Sequence, residues 1–132
     1  MVVLDSSVII DHLRLKKGPE SLFERFATAD EALAVSTITI TELFSGRSTL
    51  IEEERKVVEF ILYGSELRLL EFSSSIARLA GEIRRDTLPK ITLADAGIAG
   101  TAISYNASLA TLNIKDFINI AGLNLFNSNI HL

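Results

Sequence analysis

The sequence predicts an α/β fold in which strands and helices alternate along the chain. Short, continuously apolar runs are typical of buried parallel strands, and they alternate with segments whose apolar residues recur every three to four positions, as in helices. The chain has 132 residues, 48% of them apolar, which is enough to fill one core. Because no linker, repeat or low-complexity tract is visible, we predict a single domain over residues 1–132.

The first three elements follow from strand and cap signals near the N-terminus. The run 2–4 is continuously apolar, as expected for a buried parallel strand. Asp5 or Ser6 can cap a helix that extends to about Arg14. Pro19 suits the first turn of a second helix, which we expect to end near Ala27.

The segment 36–46 gives conflicting signals after a second predicted strand at 33–35. Its β-branched residues alternate with period two, which favours a strand. Its last residue, Gly46, is instead typical of a helix C-terminus. These residues alone leave both structures open.

Helical periodicity dominates the later part of the chain. Ile76, Leu79, Ala80 and Ile83 form a stripe on one helix face. Thr92 opens a helix to about residue 105, and its face of small residues is predicted to lie close against the sheet. The remaining predicted elements are helices at 50–63 and 116–120 and strands at 67–72, 108–111 and 123–126.

Acidic and amide side chains occur where apolar runs end, namely Asp5, Glu42, Asp95, Asn113 and Asp116. Residues just past the carboxyl ends of parallel strands converge on one crevice, where several carboxylates repel one another unless a cation lies between them. Oxygen ligands suit Mg²⁺ or Mn²⁺. Each residue also has a simpler explanation as a helix cap or a solvated charge, so the prediction depends on the joint pattern.

Composition excludes several classes of function. The absence of cysteine removes disulfides, zinc–thiolate sites and thiol nucleophiles, and it is compatible with a reducing, cytoplasmic location. We expect no signal peptide and no membrane span, since the N-terminus has no basic region and no apolar run is long enough. The two histidines, His12 and His131, give no support to a covalent serine mechanism.

The net charge of −4 argues against non-specific binding of nucleic acid. Basic residues nevertheless lie close in sequence to the acids, and they allow either a basic patch beside the crevice or ordinary solvated charges. They are Arg14, Lys16 and Lys17 near the first acid, Arg47 after the second, and Arg84, Arg85 and Lys90 before the third.

Four segments resemble the motifs of PIN domains, particularly the VapC-type toxins of prokaryotic toxin–antitoxin pairs. Residues 3–11 read VLDSSVIID and resemble the opening motif, and residues 40–46 read ITELFSG and resemble the second. Residues 93–99 read LADAGIA, and residues 110–117 read ATLNIKDF, which resemble the third and fourth. The four occur in family order and extend over nearly the whole chain.

The resemblance implies a three-layer α/β/α domain with a mainly parallel five-stranded sheet, and a helix at 36–46. It also implies a metal-dependent endoribonuclease that uses Mg²⁺ or Mn²⁺, with Asp5, Glu42 and Asp95 at the positions of the metal-binding acids. Asn113 stands where the family often has aspartate. Asp116 supplies a carboxylate one turn later, and we expect it to complete the catalytic and metal-binding set.

Further roles and partners follow from the same resemblance. Ser6 and Ser7 match positions beside the site, and Arg14, Arg47 and Asn113 are candidates for substrate contact or support of the acids. The implied partners are an RNA substrate and an antitoxin that covers the groove. A homodimer would explain the apolar content of segments 50–63 and 76–83, although burial in the core explains the same residues.

Three other functions share parts of this pattern of acidic residues. A catalytically silent PIN-like binding module is favoured by Asn113 in place of an acid and disfavoured by the three retained acids. A haloacid-type phosphatase requires a second aspartate where Ser7 stands. A receiver domain requires adjacent acids after the first strand and a lysine after the last, and neither is present.

Overall fold

A five-stranded sheet in which every pairing is parallel forms the centre of the computed structural model, which describes residues 1–14, 23–25 and 30–126. The strand order is β3-β2-β1-β4-β5. The predicted α/β fold and parallel sheet are therefore confirmed. The strands are β1 (Val2–Leu4), β2 (Leu33–Ser36), β3 (Arg68–Leu70), β4 (Ser108–Ala110) and β5 (Asn124–Leu125).

The described helices follow the predicted positions with two changes. The segment predicted as one helix at 50–63 begins with a 3₁₀ turn, Arg47–Leu50, and ends as a π-helix, Phe60–Gly64. The helix predicted at 116–120 instead lies at 114–117, because the Asn113 carbonyl already accepts the Asp116 amide at 2.9 Å. The helices are α1 (Ser6–Arg14), α2 (Thr37–Ser45), α3 (Glu52–Glu59), α4 (Ser74–Asp86), α5 (Leu93–Ser104) and α6 (Ile114–Phe117).

Residues 23–25 are helical, and the rest of the second helix predicted from Pro19 to Ala27 lies outside the described residues. Among the helices that are described, none combines the length and apolar character required to cross a bilayer.

Two apolar cores on opposite faces of the sheet produce the predicted three layers. Successive strand residues point to opposite faces, so Val2 and Leu4 join one core and Val3 joins the other. The first core also receives residues of α1, α2, α3 and the π-helix. The second receives residues of α4, α5 and α6.

Local capping explains why 37–45 is helical despite its β-branched alternation. The Ser36 hydroxyl accepts the Ile38 amide at 3.3 Å, and the buried Thr101 hydroxyl lies 3.1 Å from the same oxygen. Gly46 closes the helix with its amide bonded to the Leu43 carbonyl. The cap and the tertiary contact outweigh the local strand propensity, and the helix expected from the resemblance is confirmed.

The small face of α5 packs against the sheet, as predicted, and it also contacts neighbouring helices. A Cβ added at Gly100 would lie 3.5 Å from the backbone nitrogen of Ala80 on α4. A Cβ added at Gly97 would lie 2.8 Å from the Ile38 side chain of α2. The glycines therefore permit close helix–helix contact, while the alanines of α5 join the core under the sheet.

Core burial accounts for only part of the apolar segment 50–63. Val58, Ile61 and Leu62 are buried. Leu50 is 75% exposed, Phe60 is 65% exposed and Tyr63 is 61% exposed. The stripe on α4 differs, since Ile76, Ala80 and Ile83 are all buried. Hence only the first of these segments presents a large apolar surface to solvent.

Candidate active site

The crevice lies at the carboxyl ends of β1 and β4, where the strand order reverses. Asp5 directly follows β1, and its amide donates to the Ala110 carbonyl of β4 at 2.9 Å. Its side chain is only 3% exposed. In open α/β sheets this reversal point is where ligands bind, so Asp5 occupies the expected position for a functional carboxylate.

Two hydroxyl groups hold the Asp5 carboxylate. Oδ2 accepts the Thr111 hydroxyl at 2.7 Å and the Ser7 hydroxyl at 2.8 Å. The Thr111 oxygen accepts the Asn113 amide at 2.9 Å, and the Ser7 oxygen accepts the Leu112 amide at 3.1 Å. These bonds orient the buried carboxylate without supplying a positive charge. The Asp5 backbone carbonyl accepts the Val8 amide of α1 at 3.1 Å.

Glu42 reaches the same crevice from α2. Burial raises its pKa most, and the negative charge of Asp5 raises it further, with a smaller rise from Asp95. A hydrogen bond from the Ser6 side chain opposes this rise in pKa. Its Oε1 atom is buried and finds no hydrogen-bond partner among residues 1–14, 23–25 and 30–126. Since a buried polar atom is normally paired, this oxygen is positioned to receive a ligand.

Asp95 lies in the first turn of α5, opposite Glu42. Its backbone amide donates to the Thr92 hydroxyl at 3.0 Å, so Thr92 is the cap residue, as predicted. Burial and then the charge of Asp5 raise the pKa of Asp95 to about 6, with a further rise from Asp116 that the Thr92 hydrogen bond opposes. The charges of two other segments, Asp5 after β1 and Asp116 in α6, therefore act on this carboxylate.

Asp116, and not its neighbour Asn113, shares a cavity with Asp95 among the described residues. Asp95 and Asp116 line the same cavity, of about 220 Å³, whose described lining does not include Asn113. Asn113 begins α6, but its side chain makes no cap hydrogen bond. Its backbone amide instead supports Thr111.

The carboxylate oxygens are the kind of donor that suits a hard divalent cation. Within the part of the chain described, no three acidic or histidine side chains are arranged to hold a metal ion as they stand. The buried, unpartnered oxygen of Glu42 and the raised pKa of Asp95 both indicate a site that a hard cation would satisfy. The ligand roles of the four acids stay predictions.

Basic residues border the acids on two sides. Arg14 and Arg47, both predicted near the site, line a cavity of about 260 Å³ together with Glu42. Lys90 lines the cavity of Asp95 and Asp116. Two of the other predicted basic residues make contacts elsewhere, since Arg84 donates to the Ile91 carbonyl and Arg85 pairs with Asp86. Lys16 and Lys17 lie outside the described residues.

Sequence reasoning missed two contributors to this region. Thr111 is 4% exposed and makes the shortest bond to Asp5. Lys115 lines the cavity of Asp95 and Asp116. A hydroxyl residue at the carboxyl end of β4, directly across from Asp5, is the signal that would have identified Thr111.

Similarity to known proteins agrees with this geometry. The family model for the PIN domain matches residues 2–123. The chain belongs to the PIN domain family. One relative is ribonuclease VapC2 of Rickettsia felis, which is 30% identical over 95% of this chain and 96% of its own length. Another is the tRNA(fMet)-specific endonuclease VapC of Salmonella typhimurium, which is 29% identical over 93% of this chain and 94% of its own.

A solved structure shows the same fold across nearly the whole PIN domain. The DNA-bound VapBC of Salmonella typhimurium contains a chain that is 29% identical and superposes with a TM-score of 0.78. The match covers 95% of this chain and 96% of that one. Residues 2–123, which the family model matches, include the segments that carry Asp5, Glu42, Asp95 and Asp116, and the resemblance inferred from the four motifs is confirmed.

Proposed function

We propose that this PIN domain is a metal-dependent endoribonuclease and the toxin of a VapBC-type pair. One observation carries the proposal: Asp5, buried and held by hydroxyls at the strand-reversal point, faces Glu42 and Asp95 closely enough to raise the pKa of both. Perturbed carboxylates that gather in a crevice are typical of functional sites. The relatives named ribonuclease and endonuclease support the same reaction class.

Each acid has a separate role in the proposal. Asp5, Glu42, Asp95 and Asp116 would hold Mg²⁺ or Mn²⁺, which supplies an activated water and neutralises charge at the phosphoryl oxygens when bound. Thr111 and Ser7 keep the Asp5 carboxylate in one orientation. Ser6 does the same for Glu42, and Arg14 and Arg47 are positioned to contact RNA beside it.

The proposed partners follow from the relatives and from the exposed surface. We propose a structured RNA such as tRNA as the first substrate to test, because one relative is named a tRNA(fMet)-specific endonuclease. An antitoxin would occupy exposed apolar surface, such as that of Leu50 and Phe60, and a homodimer would use a similar surface. Both partners would act with the toxin in the cytoplasm.

The test is cleavage of purified tRNA and of single-stranded RNA, with Mn²⁺ and with EDTA. We expect cleavage in Mn²⁺, none in EDTA, and a loss of about 10²-fold or more in Asp5→Asn, since a charged group at the reacting centre is removed. Asp30→Asn is the matched control, because Asp30 is exposed and lies outside the crevice. Binding of RNA without cleavage in either Mg²⁺ or Mn²⁺ would favour the silent module instead.

A further inference from the structure

Two lysines line the outer part of the crevice beside the acids. Lys90 lies in the loop between α4 and α5, and Lys115 lies in α6, and both line the cavity of about 220 Å³ that contains Asp95 and Asp116. The two lysines come from segments 25 residues apart in sequence. The fold therefore brings two positive charges to the edge of an acidic site in a chain whose net charge is −4.

The loop that carries Lys90 is fixed at both ends. The Arg84 side chain donates to the Ile91 carbonyl at 3.0 Å. The buried Thr87 hydroxyl donates to the Ile83 carbonyl at 2.6 Å, and Thr92 caps α5. Because these bonds join the loop to α4 and α5, the Lys90 backbone is held beside the cavity.

Neither lysine is used as an ion-pair partner within the part of the chain that the structure describes. Among residues 1–14, 23–25 and 30–126, neither Lys90 nor Lys115 forms a salt bridge within 4.0 Å, although two carboxylates line the same cavity. Their charges are available to an external anion.

We propose that Lys90 and Lys115 form a phosphate subsite that holds the RNA backbone beside the phosphate to be cleaved. This inference rests on the proposed ribonuclease function and names how the substrate is held. An acidic crevice repels a polyanion, and phosphate contacts from nearby ammonium groups offset that repulsion. Lysine suits this role because its charge is compact and its stem is flexible. The subsite lies in a different cavity from the one that Arg14 and Arg47 line.

The test is a Lys90→Gln/Lys115→Gln double variant assayed with a labelled single-stranded RNA. We expect KM to rise about tenfold with kcat changed less than about twofold, since backbone contacts position the substrate and take no part in the reaction. The slope of log affinity against log salt should become shallower by about 1.4, which is roughly 0.7 for each lost contact with single-stranded RNA. Lys90→Arg/Lys115→Arg should keep the wild-type slope.

Lys56→Gln is the matched control, because Lys56 is exposed and pairs with Glu52 on α3. RNA binding is measured by fluorescence anisotropy, and cleavage is measured separately. The ribonuclease function and the phosphate subsite can therefore be refuted independently. Wild-type protein that binds RNA without cleaving it would refute the nuclease, whereas unchanged affinity and salt slope in the glutamine variant would refute the subsite. The second result would leave the lysines free for a different partner, such as an acidic protein segment.

Discussion

The carboxylates on the two walls of the crevice differ in burial and in hydrogen bonding. On the α2 wall, Glu42 buries one oxygen that has no hydrogen-bond partner in the described residues. On the wall formed by α5 and α6, Asp95 is half-buried and Asp116 is exposed, and Thr92 gives Asp95 a hydrogen bond. Asp5 lies between the walls and raises the pKa of both Glu42 and Asp95.

This difference indicates where a cation would contribute most. Water can solvate the exposed Asp116, but it cannot reach Glu42 Oε1, so only a bound ligand removes that oxygen's desolvation cost. We therefore expect a bound cation to contribute more at Glu42 on the α2 wall than at the exposed Asp116 on the opposite wall. The contrast can be tested one residue at a time.

The largest effect is expected from Glu42→Gln. We predict that it lowers the rate of RNA cleavage in Mn²⁺ by about 10²- to 10³-fold, because a buried charge aimed at the site is lost. Asp116→Asn should lower it only about tenfold, since solvent already screens that carboxylate. Initial rates at saturating Mn²⁺ measure both. Equal losses in the two variants would contradict the asymmetry between the walls.

A smaller effect is expected from Thr111→Val, which acts through Asp5. The variant removes the 2.7 Å bond to the buried carboxylate and leaves the Asn113 amide without its acceptor. We predict a loss of about 1–3 kcal/mol in the free energy of unfolding, measured by urea denaturation, and a clear fall in cleavage rate.

Thr49→Val is the matched control for Thr111→Val. Thr49 is also buried, and its hydroxyl lies within hydrogen-bond distance of the Phe44 and Gly46 carbonyls, away from the acids. Thr49→Val should lower the free energy of unfolding by an amount similar to that of Thr111→Val, and it should leave the cleavage rate unchanged. If both variants lose activity alike, Thr111 acts through general stability and does not position Asp5.

A pH-dependent effect on stability is expected from Asp95→Asn in metal-free protein. Because the folded-state pKa of Asp95 is raised to about 6, wild type loses stability from this group as pH rises from about 4 through about 6. Without correction for solvent, this shift in pKa corresponds to about 3 kcal/mol in the free energy of unfolding. Solvent screening at this half-exposed site reduces that contribution to about 1 kcal/mol. Asparagine does not titrate, so the variant should gain about 1 kcal/mol over wild type by pH 7.

Urea denaturation in EDTA at about pH 4 and about pH 7 measures that gain. Asp116→Asn is the comparison, because it removes a neighbouring charge without removing the raised group. If Asp95→Asn and wild type lost stability in parallel between the two pH values, the raised pKa of Asp95 would be absent in solution.

The sequence predicted the positions of the helices and strands of this PIN domain more accurately than the contacts that hold its candidate site together. Strand β1 and helix α1 were predicted within a residue, since an apolar run and a cap signal are local. The start of α6 was predicted two residues too late, because a hydrogen bond from the Asp116 amide to the Asn113 carbonyl sets its true start. Thr111 was missed because its role depends on a contact with Asp5 across 106 residues, which no local pattern contains.

The smallest effect is expected from Asn113→Ala, which tests the fourth motif. The Asn113 side chain makes no cap bond, while its backbone amide, which alanine retains, supports Thr111. We therefore predict a change in cleavage rate of less than about twofold, as for surface substitutions away from a site. Measured beside Asp116→Asn, the variant separates the two candidates for the fourth polar position. A loss as large as that of Asp116→Asn would make the amide a direct participant and would assign Asn113 to the wall formed by α5 and α6.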